Sequence, residues 1–278
     1  MISGFVHEHA AKIAYAAIGV VFFFAFLLVT FPYADTLSNV LAPMGLRLSS
    51  RDQGMSFPYG LRMDGVMLES PADGRTLFQS DRLRVTPAFL SWLMGSPGVR
   101  ITADAYGGSF NIRARRHGDA TELSFNGADL HLESYTALRA MGLNLGGVLS
   151  GDGEAYVALN DINADHGTAH LTALGASYRM FPGMPPLKLG DVTAIVKLEQ
   201  GKITIQRLES HGGDLMVSGR GVIQLEPYLP DSEVAIRFQL ATTPTGAKRL
   251  GLLLNFLPHP PNSTPYFLSG MLGFPSLT

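Results

Sequence analysis

Glu233-Val234-Ala235-Ile236-Arg237-Phe238-Gln239-Leu240 decides the fold class. Val234, Ile236, Phe238 and Leu240 alternate with Glu233, Arg237 and Gln239. An apolar–polar period of two belongs to a strand with one face on a core and the other in water. The same period recurs in Asp191–Glu199, where Val192, Ala194, Val196 and Leu198 oppose Asp191, Thr193, Lys197 and Glu199. Ser109–Arg115 sets Phe110, Ile112 and Ala114 against Asn111, Arg113 and Arg115. Shorter runs over Ile101–Ala105, Asp129–Glu133, Glu154–Leu159 and Thr168–Ala173 extend the pattern. Between them stand Tyr106-Gly107-Gly108, His117-Gly118-Asp119, Gly151-Asp152-Gly153, Gln200-Gly201-Lys202 and His211-Gly212-Gly213, each read as a turn. Such spacing predicts antiparallel hairpins and meanders.

Helical signals are few. Pro87–Met94 is expected as a short helix capped by Thr86, and Leu132–Met141 as another capped by Ser134. Thr245–Leu257 is the third, ended by Pro258. Many one-faced strands with so little helix pose a covering problem. Either the sheet folds onto itself as a sandwich or barrel, or an apolar ligand occupies its inner side. The candidate inner face holds Phe110 and Ile112, Val192, Val196 and Leu198, and Val234, Ile236, Phe238 and Leu240.

Composition agrees with many turns and an apolar interior. The 278 residues include 31 Gly and 17 Pro, are 46% hydrophobic, and are only 16% charged, against about 25% charged in an ordinary soluble domain. Disorder is excluded by that apolar content. The net charge of −2 points to no nucleic-acid partner. With no cysteine there is no disulfide framework, thiolate metal site or cysteine nucleophile.

Ile13–Phe31 carries no charge over nineteen residues, with Phe22, Phe23 and Phe24 at its centre. As a helix it spans roughly 28 Å, about one hydrocarbon core. A cleaved signal peptide has a shorter apolar run and a small-residue cleavage site, whereas here Phe31-Pro32-Tyr33-Ala34 follows. A retained anchor is therefore expected. Lys12 precedes the span, and no Lys or Arg follows it before Arg47, so the positive-inside bias puts residues 1–12 in the cytoplasm. The expected organisation is an anchor over 13–31, a linker and first strand region over 32–56, and an exported β domain over 57–278. The lipid bilayer is the first expected partner.

No catalytic constellation emerges. Phosphate-loop, dinucleotide and nucleophile-elbow patterns all fail, the last because Met216 stands where glycine is needed before Ser218. His166 and His170 are four apart, but in a strand-like stretch, which favours solvated histidines over a metal pair. Asp161-x-Asn163-x-Asp165 lacks the glycine and closing glutamate of a calcium loop and reads as a turn. Arg113 and Arg115 share a strand face and are candidate contacts for an anionic headgroup. No enzyme activity and no cofactor are expected.

Thr30-Phe31-Pro32-Tyr33 directly after the apolar span, then Pro58-Tyr59-Gly60-Leu61 and Asp64-Gly65-Val66, resembles the single-pass form of the N protein family of the bacterial type II secretion system. Leu149-Ser150-Gly151-Asp152-Gly153, Leu215-x-Val217-Ser218-Gly219-Arg220-Gly221 and Leu268-Ser269-Gly270-Met271-Leu272 fit the same pattern. That family is similar to the wider AsmA-like group of envelope proteins. The resemblance implies a mainly β fold, with one N-terminal transmembrane helix followed by a curled antiparallel groove. It further implies a single-pass inner-membrane protein with its C-terminal domain in the periplasm. The implied role is a non-enzymatic component of the type II secretion apparatus, with other inner-membrane components as partners. The AsmA-like kinship implies an alternative role, a module that binds or transfers lipid and shelters phospholipid acyl chains.

Overall fold

In a computed structural model of the chain, residues 47–278 are described except for 57–59, 71–73, 89–94, 141–143, 159–163, 180–182, 184, 227–231, 252–257 and 272–273; Ser38 and Ala42 are also described. The expected anchor, with Ile13, Phe22, Phe23, Phe24 and Phe31, lies outside the described residues, as does most of the 32–56 linker. Among the described residues no helix is long and apolar enough to cross a membrane.

Alternation becomes strand almost throughout. The chain opens with β1 (Arg47–Ser49), β2 (Asp52–Met55), β3 (Leu61–Ser70), β4 (Arg75–Pro87) and β5 (Gly98–Ala105). It continues with β6 (Gly108–His117), β7 (Ala120–His131), β8 (Leu145–Ala158), β9 (His166–Tyr178) and β10 (Leu187–Glu199). The last are β11 (Lys202–Gly212), β12 (Leu215–Gln224), β13 (Glu233–Thr242), β14 (Tyr266–Met271) and β15 (Phe274–Leu277). All pair antiparallel in one sheet, each with its neighbour in sequence from β3 to β15, while β1 and β2 both pair with β3. Among the described residues no pairing joins the first strands to β15, so the sheet is open rather than a barrel. Neither edge is long: β1 has 3 residues, β2 has 4, and β15 has 4 including Pro275. Short, proline-bearing edges resist edge-to-edge pairing with other chains.

Tight turns follow their glycines. Between β5 and β6, Tyr106 and Gly107 both take left-handed φ, 55° and 79°, the turn whose twist matches a hairpin. A tyrosine is strained there. Its ring is held edge-on to Phe78 and Tyr135 at 5.9 and 4.9 Å, and its hydroxyl accepts the Gln79 N–H at 2.8 Å.

Several expectations are corrected. Gly151-Asp152-Gly153 is not a turn but the middle of the 14-residue β8. A Cβ on Gly153 would lie 2.5 Å from Phe125 Cε1, and one on Gly151 2.6 Å from Leu171 Cδ2. These glycines make room for side chains of adjacent strands that lie down across them. Pro87 is the last residue of β4 rather than a helix start, and 89–94 lies outside the described residues. The Leu132–Met141 helix is two single turns, a 3-10 turn Leu132–Ser134 and α1 (Thr136–Ala140), split by extended Tyr135. The last helix, α2 (Pro244–Leu250), begins one residue early because Thr243 caps it, its hydroxyl accepting the Gly246 N–H at 3.1 Å. Residues 252–257 of that prediction lie outside the described residues.

Among the described residues, buried apolar side chains cluster at two places. Near the first edge Met63 and Val66 pack with Leu48, Leu61, Leu83 and Val85. At the other end Leu215, Leu240 and Tyr266 pack with Leu187, Leu189, Val217 and Phe238. There α2 is tied down by Arg249, which donates to both carboxylate oxygens of buried Asp214 at 3.1 and 2.8 Å.

Candidate functional site

Residues directly opposite in an antiparallel pair share a face, so the register sorts every side chain. Starting from Leu61 of β3, one transverse row runs through Val85, Ile101, Ile112 and Phe125 to β7. Gly153 and Ala169 carry it across β8 and β9. Val196, Ile205, Gly221, Ile236, Leu268 and Leu277 take it to β15. It crosses thirteen strands without a polar residue. At about 4.8 Å per strand it is roughly 58 Å long. The flanking row through Phe110, Leu171, Leu208 and Phe238, and the one through Leu123, Leu198, Ile203 and Val234, are likewise apolar.

All nine residues expected on the inner face meet on this one face. Ile112, Val196 and Ile236 lie in the central row, Phe110 and Phe238 in one flanking row, Leu198 and Val234 in the other. Val192 and Leu240 lie one row beyond Phe110 and Phe238, toward the Tyr106 end of the sheet. Sequence reading missed Ile203, Ile205, Phe125 and Leu268, although Lys202-Ile203-Thr204-Ile205 carries the same period.

The central row is not sealed. Its residues from Leu61 to Leu268 that bear side chains are all half-buried, and among the described residues no second sheet covers them. Part of their shelter comes from within the layer. A Cβ on Gly219 would lie 2.8 Å from Phe238 Cβ, and one on Gly221 2.7 Å from Ile236 Cγ1, so the larger residue occupies its neighbour's space. Full burial of such side chains contributes about 1.5–3 kcal/mol each. Half-burial leaves on the order of 1 kcal/mol per residue to be gained by covering this face.

The opposite face is polar and salt-bridged. Arg62 donates to Asp64 and holds its carboxyl below the ordinary aspartate value, and Arg207 does the same to Glu209. Arg113 and Arg115 stand on this side, across the sheet from the apolar rows. One lipid therefore cannot lay its tails on the apolar face and reach these arginines directly. Arg113 borders a shallow depression of about 330 Å³ with Asn111, Ser124, Asn126, Asp152 and Glu154. His166 and His170 also face this way, roughly 13 Å apart along an extended strand, too far to share a metal. His166 stacks on Tyr156 instead, ring centroids 5.0 Å apart. Asp165 accepts the Ala158 N–H at 2.8 Å, and Asp161 and Asn163 lie outside the described residues. Among the described residues no three His, Asp or Glu gather as a metal site.

Against known proteins, no family model, curated protein or solved structure matches the chain.

Proposed function

We propose that this chain is a non-enzymatic, membrane-tethered component of the bacterial type II secretion apparatus, anchored by Ile13–Phe31 in the inner membrane and offering its sheet as a binding surface in the periplasm. The observation that carries the binding role is the thirteen-strand apolar row, half-buried from Leu61 to Leu268 and with no second sheet over it among the described residues. The setting comes from the resemblance at Thr30–Tyr33 and Pro58–Leu61. Deleting the gene is expected to leave secreted proteins stranded in the periplasm with outer-membrane lipid normal. Complementation by Ile236→Asp should fail where Lys197→Ala succeeds. Normal secretion in the deletion strain sinks this reading.

A second reading, a lipid-binding or lipid-transfer module, is favoured by the half-exposed row itself. Acyl chains laid across a curled sheet would cover it with no further protein layer. A photo-crosslinking residue at Val196, in the full chain in cells, is expected to capture phospholipid, and one at Lys197 on the other face is not. Equal capture, or none, at both positions removes the lipid reading.

A further inference from the structure

Charge divides along the sheet. Residues 47–117, which supply β1–β6, hold ten Arg, no Lys and six Asp or Glu, for a net +4. Residues 118–278 hold ten Lys or Arg and fifteen Asp or Glu, for a net −5. At three places on the polar face a cation finds an acid two residues along its own strand: Arg62 with Asp64 at 2.5 Å, Lys197 with Glu199 at 2.6 Å, Arg207 with Glu209 at 2.7 Å; at a fourth, Arg237 stands opposite Arg220 and lies over the Phe267 ring instead. On β4–β6 that pattern breaks. Arg84, Arg100, Arg113 and Arg115 are all exposed, and none has a hydrogen bond or ion pair among the described residues.

Register gathers these four. Arg100 is directly opposite Arg113. Arg84 faces Thr102 and so is a diagonal neighbour of Arg100, and Arg115 lies two residues beyond Arg113. Arg84 is also directly opposite Arg62. Like charges directly opposite destabilise a sheet, so the arrangement is costly until an anion enters it.

We propose that the polar face of β4–β6 binds a phosphate group between Arg100 and Arg113, with Arg84 and Arg115 at its flanks. One guanidinium already satisfies a carboxylate, as Arg249 does for Asp214 through its Nη1. A tetrahedral phosphate has oxygens for two forks at once, which suits a cross-strand arginine pair. The site is bounded on one side by acids: Glu122 stands opposite Arg115, and Asp152 and Glu154 lie across the depression from Arg113. The phosphate is either that of acidic phospholipid at a bilayer surface or free inorganic phosphate. The site is on the far side of the sheet from the apolar rows and depends on neither functional reading.

Arginine-selective labelling of the full chain in nanodiscs, read peptide by peptide, tests this. Three samples are compared: phosphatidylcholine alone, phosphatidylcholine with phosphatidylglycerol, and phosphatidylcholine with millimolar inorganic phosphate. Labelling of Arg84, Arg100, Arg113 and Arg115 should slow about threefold, the protection given by ligand at about twice its Kd, while exposed Arg207, already paired with Glu209, does not change. Slowing with phosphatidylglycerol only assigns the lipid headgroup, and slowing with inorganic phosphate assigns the free ion. The double variant Arg100→Gln, Arg113→Gln should lose the protection at Arg84 and Arg115 and melt no lower than the parent. No protection in either sample, equal slowing at Arg207, or protection that survives the double variant overturns the proposal.

Discussion

Leu240 and Ile236 lie four residues apart on one strand and one face, in two kinds of surroundings. Leu240 sits in a closed corner with Leu215 and Tyr266, where α2 and the Asp214–Arg249 pair seal the end of the sheet. Ile236 sits in the central row, half-buried, beside a glycine on β12 and Leu268 on β14. The corner is packed as a protein interior, whereas the row is a surface. Among the described residues the buried clusters thus stand at two ends of the sheet, and the long middle between them is half-buried.

Truncating the corner should have the largest effect. Tyr266→Ala removes a fully buried ring stacked on Phe238 and His259, and is expected to cost about 3–5 kcal/mol in denaturant unfolding. A charge separates the two surroundings more sharply. Leu240→Asp should cost about 3 kcal/mol or more, and Ile236→Asp or Val196→Asp about 1–2, because a half-buried carboxylate still reaches water. Equal losses at Leu240 and Ile236 would abolish the distinction between corner and row.

Tyr106 adds a pH-dependent check at the turn. Burial pushes its hydroxyl up to about 12 from the ordinary 10. The unfolded chain therefore releases this proton first, and stability present below pH 10 is lost as pH rises toward 12. Tyr106→Phe should flatten that alkaline loss in unfolding titrations. The smallest effects belong to the polar face. Arg237→Ala gives up a contact over the Phe267 ring at 5.5 Å but also relieves Arg220 directly opposite, and Lys197→Ala opens an exposed pair. Both should stay within about 0.5 kcal/mol.

Strand faces were legible in the residues because a period of two is local: Val234, Ile236, Phe238 and Leu240 declare their side without reference to another strand. Turns at Tyr106-Gly107, Gly118 and Gln200-Gly201 were legible for the same reason. Gly151 and Gly153 misled, since a glycine that bends the chain and one that yields space to Phe125 look alike until the neighbour on β7 is known. The Leu132–Met141 helix misled at Tyr135, whose extended backbone goes with a ring held against Tyr106, a contact distant in sequence.

The amino-acid order alone determined that this chain forms many one-faced strands joined by glycine turns, because alternation and turn conformation are properties of a few adjacent residues. Only the folded arrangement decided that the apolar sides of thirteen strands fall into common rows, that the sheet stays open, and that Arg100 meets Arg113. Each of those depends on register, and register is set by pairing between strands.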